Sequence, residues 1–148
     1  MKISPIPSTL LETHVYQGPG YQCLINSPLW RVALMNYTPD QLPDKITEFQ
    51  RHDETDEVFV LLQGHCILFL GEGGDEVTRI FAQNMLPFTL YNIKKSVWHS
   101  HIASPDAKVL IIENADTSPA NSPRLQLSLE QKKEIDGLER QLWGDYDR

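Results

Sequence analysis

Two short stretches of the chain carry the residue types that bind metals or move protons. The first, Gln50 to Gly64, reads QRHDETDEVFVLLQG; the second, Tyr91 to His101, reads YNIKKSVWHSH. In an extended chain alternate residues share a face, so Gln50 and His52 stand together with Arg51 opposite. After a turn at Asp53 to Asp56, Glu57, Phe59 and Leu61 share a face. Val97, His99 and His101 share another, with Trp98 and Ser100 behind them. Two histidines and a glutamate on the inner faces of different strands can converge. Imidazole nitrogens with one carboxylate suit zinc, iron, manganese or nickel and leave positions open for a substrate. A plainer reading makes His52 and Glu57 a hydrogen-bonded pair at a rim. His101 can be a further ligand, a base or a hydrogen-bonded core residue. Lys94 and Lys95 alternate faces, so one of them can meet an anionic substrate; the alternative leaves both in solvent.

The elements that must position these residues are short strands. Tyr21 to Ile25, Trp30 to Tyr37 and Ile46 to His52 read as strands, the last two separated by a proline-bearing loop that no sheet interior accepts. Glu57 to Leu62 and His65 to Leu70 are β-rich runs split at Gln63-Gly64, a hairpin signal. The segment GEGGD at Gly71 to Asp75 lies between strands with no helix after it, so it reads as a turn and not a phosphate cradle. EVTRIFA, Leu90 to Lys94, Val97 to Ile102 and Lys108 to Glu113 complete the set. Regular short strands without helical crossovers imply a sandwich or barrel. Ser128 with Gln131 forms a capping-box pattern. Leu129, Ile135, Leu138 and Leu142 make an apolar stripe behind it, and Gly144 is a stop. The helix is expected to pack on the barrel or on a partner subunit, with Trp143 as an anchor. Trp98 is expected to pack between sheets.

At 148 residues the chain reads as one domain: an arm at 1–13, a barrel at 14–113 and a helix at 128–143. The net charge of −7 argues against nucleic acid or an anionic membrane as partner, since both reward a basic surface. The two cysteines, Cys23 and Cys66, form no metal or disulfide pattern, and Cys66 in HCILFL reads as a buried apolar residue. No signal-peptide core and no apolar run long enough to span a bilayer is visible, so a cytoplasmic protein is expected.

The first stretch resembles the leading motif of the cupins, G-x5-HxH-x3,4-E-x6-G. Glu57 is followed by six residues and then Gly64, and His52 falls at the second histidine. The second cupin motif, G-x5-PxG-x2-H-x3-N, is met at His99 alone. The resemblance covers about residues 45 to 113. It implies a double-stranded β-helix, or jelly-roll barrel, with a metal or small ligand inside. It also implies a metal set of His52, Glu57 and His99. Gln50 replaces the first motif histidine and is a weak oxygen ligand. Lys94, Ser96 and Ala103 replace the proline, glycine and asparagine of the second motif. The run YNIKKSVWHSH…VLIIEN is also similar to part of the ureidoglycolate lyases, which implies a small polar metabolite such as a hydroxy acid or ureide.

Two functions follow as expectations. One is a metal-dependent lyase or isomerase of a small polar acid, with a zinc, manganese, nickel or iron ion at His52, Glu57 and His99 and a proton moved by His101 or Lys95. The other is a binding or sensing protein, with or without metal, that holds a small molecule in the same pocket without chemistry. A homodimer is expected, because open sheet edges must be covered.

Overall fold

The computed structural model describes residues 5–144. Ten strands and one helix follow in chain order. They are β1 (Gly20–Asn26), β2 (Trp30–Asn36), β3 (Glu48–Gln50), β4 (Glu57–Gln63), β5 (Cys66–Glu72), β6 (Arg79–Asn84), β7 (Leu90–Ile93), β8 (Trp98–Ala103), β9 (Lys108–Asn114), β10 (Arg124–Gln126) and α1 (Leu129–Trp143). The proline-bearing loop before β3 forms two short 3-10 turns, Pro39–Gln41 and Pro43–Lys45. Part of the expected arm, residues 1–4, lies outside the described residues, and the first strand begins only at Gly20.

The strands form two five-stranded sheets, ordered β1-β2-β9-β4-β7 and β10-β3-β8-β5-β6. Every pairing is antiparallel. This is the expected jelly-roll barrel with one C-terminal helix. β10 is a departure: it sits in the polar segment after Glu113 that reads as a connection. Three residues suffice for it because Arg124, Leu125 and Gln126 pair directly with Gln50, Phe49 and Glu48.

Two apolar clusters hold the layers. Between the sheets, Ala33 and Met35 of β2, Phe59 and Leu61 of β4 and Val109 and Ile111 of β9 meet Cys66 and Leu68 of β5. On the outer face of the second sheet, Phe49, Ile67, Phe69 and Ile102 pack against Leu127 and Ile135. Complete burial of such side chains contributes about 1.5–3 kcal/mol each. The second sheet is thus covered on both faces, which is why β5 reads as an unbroken apolar run. Burial pushes the Cys66 thiol up to about 12, so it acts as a small apolar side chain.

The helix that covers the second sheet starts where its cap predicts. Ser128 Oγ accepts the Gln131 N–H at 3.2 Å, and Gln131 Oε1 accepts the Ser128 N–H at 2.8 Å. Ile135, Leu138 and Trp143 dock on the barrel, whereas Leu129 and Leu142 of the expected stripe stay exposed; Trp143 donates its indole N–H to Asn84 at 3.0 Å. Trp98 belongs to this outer cluster and not to the space between the sheets. Its indole N–H donates to the Gly74 carbonyl at 2.8 Å, and the Arg51 guanidinium stacks on its ring at 4.6 Å. At the β4–β5 hairpin Gly64 has φ +72, and a Cβ there would lie 2.7 Å from Ala107 Cα and Ser104 Oγ. Only glycine meets both demands.

Candidate functional site

One end of the barrel interior is filled by apolar side chains. The other opens as a polar cavity of about 680 Å³. At its base lie His52, Glu57 and His99, all buried. His52 stands just past β3, His99 is on β8 of the same sheet, and Glu57 opens β4 on the facing sheet. Strand alternation aims each inward, as the spacing predicts. Glu57 Oε2 lies 3.1 Å from His52 Nε2 and 2.9 Å from His99 Nε2. The imidazole rings are 5.2 Å apart, and one ligand atom from each of the three residues lies within 4.8 Å of the others.

The hydrogen bonds behind the rings set their tautomers. The Val97 carbonyl accepts from His99 Nδ1–H at 2.9 Å, which leaves the lone pair on Nε2. That nitrogen is buried and makes no well-formed hydrogen bond, although Glu57 Oε2 is 2.9 Å away. Two lone pairs face each other at this distance unless a proton or a cation stands between them. A ligating histidine is oriented in the same way, with its far N–H on a carbonyl. The three residues therefore fit a divalent ion that takes nitrogen and oxygen.

Burial would raise the Glu57 carboxyl, but the hydrogen bond with His52 and the nearness of both imidazoles outweigh it and hold the pKa down at about 2. Burial likewise opposes charge on His52, yet its bond to Glu57 raises the pKa above the ordinary histidine value. His52 Nδ1 and the Ser122 hydroxyl are 2.7 Å apart, and Ser122 donates on to Asn121.

The remaining expected site residues divide. Gln50 lines the cavity and lies directly across from His99 in the β3–β8 register. His101 also lines it, 6.0 Å ring to ring from Phe59. Gln41 Oε1 accepts from the Thr38 N–H at 2.9 Å, so its amide nitrogen faces His101 Nε2 at 3.2 Å. His101 thus accepts at Nε2 and carries its proton on Nδ1. Desolvation pushes its pKa down to about 4, so the ring is neutral near pH 7. Lys95 does not join them. It is exposed in the turn before β8, outside the cavity lining, and its backbone N–H donates to Asp56 at 2.8 Å. Ser96, at φ 63, reverses the chain there, so strand parity does not reach back to the lysines. Lys94 pairs with Asp56 at 3.2 Å.

Sequence reasoning misses several residues of this cavity. Ser122 comes from the segment after the last expected strand. Tyr21, Arg31 and Glu113 form a second polar group on the first sheet, and all three line the cavity. Tyr21 donates to Glu113 Oε1 at 2.9 Å, and Arg31 Nη2 stands 2.8 Å from the same oxygen. Burial and the Glu113 carboxylate both raise the Tyr21 phenol, so it stays protonated.

No protein-family model matches the chain, and no curated protein does. Solved structures do. A Bacillus halodurans protein aligns with a TM-score of 0.52 at 15% identity, over 68% of this chain and 74% of its own. A Streptomyces nucleoside dehydratase aligns with 0.51 at 8%, over 81% and 97%. The KdgF protein of a Halomonas species aligns with 0.50 at 12%, over 72% and 91%. At these identities the likeness is one of fold. Among the described residues no helix is long and apolar enough to cross a membrane. Two antiparallel five-stranded sheets closed around an inward His–Glu–His cluster give this chain the jelly-roll β-barrel fold that these structures share.

Proposed function

We propose that the protein is a metal-dependent lyase or isomerase of a small polar acid, with His52, Glu57 and His99 holding a divalent ion. The observation that carries this reading is the buried cluster facing an open polar cavity, with His99 Nε2 left without a proper partner. Gln50, opposite His99, would add a weak oxygen ligand. A bound zinc, manganese, nickel or iron ion would supply a Lewis acid for a carbonyl or carboxylate oxygen. His101, neutral and protonated on Nδ1, suits donation of a hydrogen bond to an oxygen that gains charge, as a neutral imidazole can. Lys95, outside the cavity, has no part in this reading. The Streptomyces neighbour of the same fold is a nucleoside dehydratase, which supports elimination chemistry in such a barrel.

One observation favours a binding protein instead. With Lys95 outside and His101 Nε2 engaged by Gln41, the cavity holds few groups free to take a proton. Both readings share the metal question, and the test starts there. Tag-free protein dialysed against zinc, manganese, nickel and iron is analysed for metal. The expected result is one ion per chain in the wild type and a sharp loss in His99→Ala with an unchanged fold. Wild-type protein that stays metal-free with all four ions would end the metal-dependent reading.

A further inference from the structure

The cavity has a second polar centre, built on the first sheet and separate from the His–Glu–His cluster. Glu113 of β9 is 5% exposed and still lines the cavity. It faces Arg31 directly in the β2–β9 register, and the match of Val58 with Ile112 sets Glu57 and Glu113 on neighbouring strands at the same level. Arg31 donates from Nε at 2.9 Å and approaches through Nη2 at 2.8 Å, and Tyr21 donates at 2.9 Å. Among the described residues these contacts all land on one oxygen, Oε1. An ionised carboxylate offers about four acceptor positions over its two oxygens. Glu113 therefore keeps accepting capacity for whatever occupies the cavity.

The charges restrict that occupant. Each lysine or arginine of the lining already has a carboxylate: Arg31 has Glu113, Lys45 has Asp44 at 3.1 Å, and Arg124 has Glu48. An anionic group finds no unpaired cation on this wall, so its place is at the His52–Glu57–His99 end. The rest of the wall offers hydroxyl groups at Thr38, Thr117 and Ser118, beside the Asp40 carboxyl and the apolar Met35, Ile46 and Ile111. The geometry points to a polyhydroxylated acid as the ligand, its carboxyl group toward His52, Glu57 and His99 and its hydroxyls donating to Glu113 beside Tyr21. This rests on the reading of the cavity as the site of a small acid and names the class of that acid.

The test is isothermal titration with short-chain aldonates, each beside the unsubstituted carboxylate of the same length, on metal-loaded and metal-free protein. Wild type is expected to prefer the aldonate by roughly tenfold or more, the range of a hydrogen bond to a charged group. Glu113→Gln should remove most of that preference while metal content stays at the wild-type level. Because Glu113→Gln leaves Arg31 without its carboxylate, Tyr21→Phe serves as the second variant: Tyr21 is 44% exposed on an edge strand, and its loss should weaken aldonate binding without unfolding the chain. Equal binding of both acids, a preference that survives both substitutions, or no binding of any aldonate would overturn the inference. A preference for aldonates in protein that takes up no metal would sustain the inference and overturn the metal-dependent reading alone.

Discussion

Glu57 lies within 3.1 Å of both site histidines, and its charge can be removed with little change of shape. In Glu57→Gln the side chain keeps its size and loses its negative charge. The fall of the Glu57 pKa from 4.5 to about 2 corresponds to roughly 3 kcal/mol in favour of the charged carboxylate in the folded protein. The group is buried, so little of this is screened away. For a chain of this size the loss should lower the melting temperature of metal-free protein by roughly 10 °C at pH 6. The sign with pH follows from linkage. The Glu57 pKa is depressed on folding, so its contribution is complete above its ordinary value of 4.5 and fades as pH falls toward 2. The His52 pKa is raised, so its contribution is present below the ordinary 6.5 and fades as pH rises through the folded value. The gap between wild type and variant should be widest between these limits and shrink to about 1 kcal/mol near pH 2.5. Urea unfolding of both metal-free proteins from pH 2.5 to 8 measures it. A gap of constant size across that range would mean that shape, not charge, sets the cost, and would refute the reasoning.

Metal uptake should release protons, because ligation needs neutral His52 and Glu57 raises the His52 pKa; affinity should fall as pH drops through that raised value, read by titration in buffers of different ionisation enthalpy. Gly64→Ala should destabilise the fold by about 2–4 kcal/mol, since it adds both a strained positive φ and a backbone clash, and denaturant midpoints would show it. Light scattering should show a species of twice 17.0 kDa, because Leu86, Phe88 and Leu90 are 62%, 76% and 72% exposed beside the edge strands β6 and β7; Phe88→Ser should shift it toward monomer.

The strands and the His–Glu–His cluster were legible in the sequence for a physical reason. Strand parity is a local rule, and Glu57 and Gly64 sit on one strand and its turn, so their spacing survives translation into three dimensions. The rule fails where the chain leaves the strand: Ser96 at φ 63 carries Lys95 to the outside. It is also silent about partners brought in by sheet order. Tyr21, Arg31 and Glu113 lie 92 and 82 residues apart in sequence and meet because β1, β2 and β9 are neighbours. Ser122 reaches His52 because β10 pairs with β3, in a segment whose prolines and polar residues read as a connection. Trp98 was misplaced although parity sets it opposite the inward His99, because the sequence does not show that loops and α1 build a second apolar layer on the outer face.

The covering of the second sheet on both faces also bears on how the cavity admits a ligand. His52, His99 and His101 ride on a wall clamped between the interior and α1, while Tyr21, Arg31 and Glu113 ride on a sheet whose outward residues Val32, Leu34, Leu110 and Ile112 keep partial exposure. One wall is packed on both faces and the other on its inner face alone. In the proposed complex, the end of the acid at His52 and His99 would lie against the better-packed wall, and its far end against the wall that β1 and β2 carry.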